Sequence, residues 1–184
     1  MAEPDPRSLV VLGFDSELAA QEMLTALTRM TTEGTLLLQD AVFVTRSPKG
    51  KVHVTQTTDP SPGQAAFGGA FWGLLFGIIL AVPVIGLAIG AGSAALVASL
   101  IDTGISDKFV KDLRQSIEPG KVYLAVLVSH VNADKAMEEM QRYAGLAEVV
   151  TTNLPPAAVT RLEEALGQDV VTEGVSEDES TIAD

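Results

Sequence analysis

The residues able to do chemistry are few and far apart. His53 and His130 stand in no DxH or HExxH spacing, no cysteine occurs in the 184 residues, and no serine sits in a GxSxG elbow. The absence of cysteine removes thiol nucleophiles, disulfides and thiolate metal sites together, and is compatible with a reducing compartment. His53 alternates with Lys51 and Thr55 on the polar side of a β pattern, as expected of a solvated edge-strand histidine. His130 falls where a strand gives way to a loop and is read as structural. Asp134, Glu138 and Glu139 share a helix whose opposite face is apolar, the usual pattern of a solvated surface. The expectation is a protein that is not an enzyme, with no catalytic residue, no cofactor and no metal ligand.

The spacing that does repeat is built from small residues. Between Asp59 and Asp102 there is no Asp, Glu, Lys or Arg. Inside this run Gly69, Gly73 and Gly77 sit four apart, and Gly86, Gly90, Ala94 and Ala98 repeat the spacing. Small residues every fourth position line one helix face and admit a second backbone, so that close packing replaces the hydrophobic drive that lipid cannot supply. The run divides near Val82 and Pro83 into two apolar helices of roughly 17 to 18 residues, just inside the lower limit for spanning hydrocarbon. The first expectation is a helical hairpin in a bilayer, with these seven positions serving helix packing and oligomerisation. Two alternatives remain: a hairpin buried between the subunits of a soluble oligomer, and a passive pore formed by several hairpins around an axis. No GxxxxGK[ST] phosphate loop occurs, and the run starts too far along the chain for a removable secretory leader. With no ionisable residue inside the run, an active transporter is not expected.

Charge narrows the partners. A formal charge of −12 would repel phosphates, so nucleic acid is not expected. The only positive cluster near the apolar run is Lys108, Lys111 and Arg114, which fall broadly opposite an apolar stripe of Phe109, Val110, Leu113 and Ile117 and are interrupted by Asp107 and Asp112. The favoured reading packs that stripe on a sheet. The sharper one lays the helix on the bilayer, its cations reaching lipid headgroups and placing the root of the hairpin on the cytoplasmic side. The end of the chain, 168–184, carries six acids and no base; it is expected to be disordered, or alternatively to dock a basic protein partner.

The elements that must carry these residues are legible in order. SLVVLGF (8–14) is a continuous apolar run of strand length, followed by Asp15 or Ser16 as a helix cap and by Ala20, Met23, Leu24, Leu27 and Met30 at helical spacing up to Gly34. LLLQDAVFVTR (36–46) and KVHVTQT (51–57) flank a Ser-Pro-Lys-Gly turn. KVYLAVLVS (121–129), a helix capped by Asn132 and closed by Gly145, and AEVVTT (147–152) repeat the strand–helix–strand order. Two such halves, whose first strands are the most apolar, predict an α+β fold: a ferredoxin-like split βαβ sheet, first strands central and helices on one face, interrupted by the apolar hairpin. The expected organisation is a disordered start (1–7), a βαββ half (8–58), the membrane hairpin (59–103), an amphipathic helix with the second βαβ half (104–154), a C-terminal helix (155–167) and an acidic tail (168–184).

VVLGFD (10–15), FGGAFWGLLFG (67–77), IGAGSAALVASLIDTGISDKFVKDL (89–113) and SIEPGKVYLAVLV (116–128), in this order, resemble the bacterial membrane-protein family catalogued as domain of unknown function 1269. The resemblance runs from about Leu9 to Leu166 and leaves out the acidic tail. It implies a small bacterial membrane-associated protein with a soluble α+β part, and carries no assigned reaction or catalytic residue. Together these readings predict a membrane-associated homo-oligomeric assembly or scaffold protein whose partners are the bilayer and its own copies.

Overall fold

A computed structural model describes residues 7–49, 51–57, 72–73, 75–76, 105 and 107–168. The run Ser8–Phe14 forms β1, and the helix α1, Glu17–Thr32, follows. Ser16 is its cap, its hydroxyl accepting from the Ala19 amide at 3.1 Å, and Gly34, at φ +70°, ends it in the left-handed conformation that glycine adopts at little cost. β2 spans Leu37–Arg46 and β3 Val52–Gln56. Across the turn between them the Ser47 amide donates to the Lys51 carbonyl at 2.8 Å. After the apolar segment come α2 (Asp107–Ser116), β4 (Val122–Ser129) and α3 (Ala133–Met140). A 3-10 turn (Gln141–Tyr143), β5 (Glu148–Thr152) and α4 (Pro156–Ala165) follow. Asn132 caps α3 by accepting from the Lys135 amide at 3.3 Å.

The sheet is antiparallel, in the order β3-β2-β4-β1-β5. β1 and β4, the two most apolar strands, are interior neighbours paired from Ser8 with Val128 to Phe14 with Val122. Their alternate residues point to opposite faces, so continuous apolarity means that both faces are covered. On the first face Val10, Leu12, Phe14, Leu124 and Val126 meet Met23, Leu27 and Met30 of α1, Met140 of α3 and Leu162 of α4. On the second face Leu9, Val11, Val42, Val44, Tyr123 and Leu127 meet Phe109, Leu113 and Ile117.

Helices on one face only were expected. The structure places α1, α3 and α4 on the first face and α2 on the second, because the stripe Phe109–Leu113–Ile117 needs its own apolar surface. The favoured reading of α2, packed on the sheet, is the one observed. Most of the expected hairpin and of the acidic tail lies outside the described residues. No helix among the described residues is long and apolar enough to cross a membrane.

Candidate functional site at the second face of the sheet

Three residues expected in the first arm of the hairpin lie on the sheet instead. Trp72, Leu75 and Phe76 are helical and exposed by only 2%, 0% and 2%, packed in the same cluster as Leu9, Val11, Val42, Val44 and Tyr123. Trp72 and Phe76 stack with ring centroids 6.1 Å apart and planes 20° apart, the contact that i,i+4 spacing allows on one helix face. Full burial of a Leu or Phe side chain is worth roughly 1.5–3 kcal/mol relative to exposure. The segment is therefore a substantial part of this half of the core. Gly73 points the other way: it is exposed, and a Cβ built there meets nothing within 4 Å among the described residues.

The polar end of Trp72 is held beside a break in β2. The pairing of β2 with β4 shifts between Leu38 and Asp40, leaving Gln39 as the extra residue of a β-bulge. Beyond it Asp40 Oδ2 accepts from Trp72 Nε1 at 2.8 Å, while Oδ1 accepts from the Ala41 amide at 2.8 Å. A buried indole N–H needs such an acceptor, and Asp40 alternates with Val42 and Val44 on the face that holds Trp72. Gln39 donates through Nε2 to Ser129 Oγ at 2.8 Å, and Ser129 Oγ lies 3.0 Å from Nδ1 of His130, which has a left-handed backbone at φ +51°. The serine is buried and its hydroxyl is engaged on both sides, which makes it a structural tie at the strand end.

Two side chains fasten α2 to the sheet. The Tyr123 hydroxyl donates to the Ser116 carbonyl at 2.6 Å and accepts from the Glu118 amide at 2.7 Å, closing the C-terminal end of the helix. Burial pushes the Tyr123 phenol above its ordinary value. Arg46 Nη1 donates to the Ile117 carbonyl at 2.9 Å. Lys121, at the start of β4, lies 3.0 Å from Glu148, 3.8 Å from Glu118 and 4.0 Å from Asp15. Its ammonium is raised above the usual lysine range, chiefly by the hydrogen bond to Glu148.

The expected cations stand on the outer side of α2: Lys108, Lys111 and Arg114 are exposed, and Lys108 pairs with Asp112 at 3.0 Å. Of the three acids of α3, Asp134 and Glu138 are exposed as expected and Glu139 is not. Glu139, only 14% exposed, pairs with Arg29 of α1 and lies 3.4 Å from Arg142, whereas Asp134 pairs with Arg161 of α4 at 2.7 Å. These pairs join α3 to its neighbours over the first face. No group of three metal-ligating side chains occurs among the described residues, and His53 is exposed on β3. Of the expected packing positions only Gly73 is described; Gly69, Gly77, Gly86, Gly90, Ala94 and Ala98 lie outside the described residues.

Taken together, the fold and this face define an α+β domain with a five-stranded antiparallel sheet, one side of which carries residues of a long uncharged segment. A family model described as "Protein of unknown function (DUF1269)" matches residues 66–167, and the chain belongs to that family. The match begins in the apolar segment, so VVLGFD and the first strand–helix unit precede it. Neither the curated proteins nor the solved structures searched gave a match.

Proposed function

We propose that the protein is a membrane-associated, homo-oligomeric assembly or scaffold protein of bacterial origin, anchored through its apolar segment with the sheet domain on the cytoplasmic side. The observation that carries this reading is the run from residue 60 to residue 101 without a formal charge, in a chain whose other residues give a net charge of −12. The cations on the outer side of α2, next in sequence to that run, support contact with anionic headgroups. The open space at Gly73, opposite the side that holds the sheet, supports packing of a second copy along the small-residue rows. The strand order supports a ferredoxin-like split βαβ sheet, with β3 added at one edge and the segment inserted between the halves.

Washing membranes with alkaline carbonate tests the anchor: the protein is expected in the pellet, and recovery in the wash overturns the reading. A second reading, a soluble oligomer with the segment between subunits, is favoured by the burial of Trp72, Leu75 and Phe76 against protein. It predicts recovery in the wash as a particle of several copies.

A further inference from the structure

We infer that β3 is an interface between copies of this chain: two β3 edges pair antiparallel about a two-fold axis at Val54 and join two sheets into one. The inference rests on the homo-oligomeric reading above and names the surface it uses. The sheet has two edges, and the chain treats them differently. At β5 the pairing with β1 shifts at Val150, and Gln168 Oε1 accepts from the Val149 amide at 2.8 Å. A bulge and a side-chain cap of this kind blunt an edge against further pairing. β3 has neither among the described residues: Val52 to Gln56 pair with β2 in unbroken register, and 51–57 contains no proline.

The register decides which groups of β3 look outward. The Ser47 amide donates to the Lys51 carbonyl and the Thr57 amide to the Ala41 carbonyl, so the odd-numbered residues of the strand turn their backbone groups to β2. Val52, Val54 and Gln56 therefore aim theirs away from the sheet, where a further strand would satisfy them. The side chains agree. On the second face the row Tyr123–Val44–Val54 runs from 0% and 1% exposed to 38% exposed at the edge, where it stops. A second copy continues that row with Val54 against Val54, and sets Val52 against Gln56. Charge selects a second copy as the occupant. Two chains of charge −12 repel wherever carboxylates meet, and 51–57 holds no Asp or Glu. Its one lysine, Lys51, falls opposite Thr57 of the copy. The two lysines are then about 20 Å apart at about 3.4 Å per residue, well beyond a Debye length of about 8 Å at physiological salt.

A residue on the axis faces its own copy, which gives the test its form. Val54→Lys and Val54→Glu each set like charges against one another, whereas the two variants together set opposite charges. Full-length chains are compared by light scattering on a sizing column in detergent. Each variant alone is expected at about half the native mass, and the two co-expressed are expected to regain it. The chain has no cysteine, so Val54→Cys reads the register directly. Cα atoms about 5.5 Å apart across an antiparallel pair lie within disulfide reach. Mild oxidation is expected to give a covalent dimer from Val54→Cys and none from Glu22→Cys, exposed on α1. Native mass in either single variant, no recovery in the mixture, or no more cross-linking at 54 than at 22 overturns the β3 pairing and leaves the homo-oligomeric reading intact. A native chain that runs as one copy overturns both and leaves the edge for another protein.

Discussion

Tyr123 concentrates the residue-scale argument. One phenol satisfies a carbonyl and an amide at the end of α2, so Tyr123→Phe strands both and is expected to lower stability by about 1–3 kcal/mol, read from the denaturant midpoint at unchanged slope. The same group fixes the sign of an alkaline dependence. Tyr123 is raised from an ordinary value of 10.0 by burial, and Lys121 from 10.5 chiefly by its bond to Glu148. In each case the unfolded chain releases its proton first. The stability they contribute is therefore complete below about pH 10 and is lost as pH rises through the folded values. Unfolding free energy measured from pH 9 to 12 is expected to decline, and Tyr123→Phe to decline less steeply. Gly73 gives the opposite kind of prediction. A Cβ there meets nothing within 4 Å among the described residues, so Gly73→Leu is expected to leave the melting of the domain unchanged while reducing particle size in detergent. Unchanged size would remove the role of the small-residue row in assembly.

At the scale of elements, the question is whether residues 72–76 belong to the domain or to the lipid. If they belong to the domain, Leu75→Ala removes a fully buried core side chain and is expected to cost about 2–5 kcal/mol of domain stability, as Leu113→Ala does on the neighbouring helix. A leucine surrounded by lipid would leave domain melting unaffected. The sequence could not make this distinction. Trp72, Leu75 and Phe76 have the i, i+3, i+4 spacing of one helix face, and apolar side chains at that spacing suit a sheet and a bilayer equally. The elements that were legible owe it to signals with one physical meaning. β1 and β4 are unbroken apolar runs because both of their faces are covered, and Ser16 and Asn132 cap helices because their oxygens satisfy amides that the helix leaves open. The bulge left a trace, the polar pair Gln39–Asp40 inside an apolar strand, but the use of Asp40 depends on an indole more than thirty positions away. Glu139 was misread as solvated for the same reason: its partner Arg29 comes from another helix, and helical periodicity is blind to what crosses over.

For the whole molecule, the two faces of the sheet divide the work. The first face is closed by α1, α3 and α4, whose outer ion pairs Arg29–Glu139 and Asp134–Arg161 use up charge among neighbouring helices. The second face carries Trp72, Leu75 and Phe76 of the apolar segment and α2, whose cations Lys108, Lys111 and Arg114 look outward from a chain that is otherwise strongly acidic. An acidic protein approaching an anionic bilayer is repelled unless its cations lead, so this face should set the orientation of binding. Replacing Lys111 and Arg114 with glutamine is expected to reduce binding to phosphatidylglycerol vesicles by one to two orders of magnitude, at about 1 kcal/mol for each cation near the surface. Binding to neutral phosphatidylcholine vesicles should change little, because there only the apolar segment contributes. Salt separates the two contributions: the native protein should lose its preference for anionic vesicles as ionic strength rises and the Debye length shrinks from about 10 Å at 0.1 M to about 3 Å at 1 M. A double variant that floats as well as the native chain at low salt would show that α2 faces away from the headgroups, and would turn the second face toward another protein.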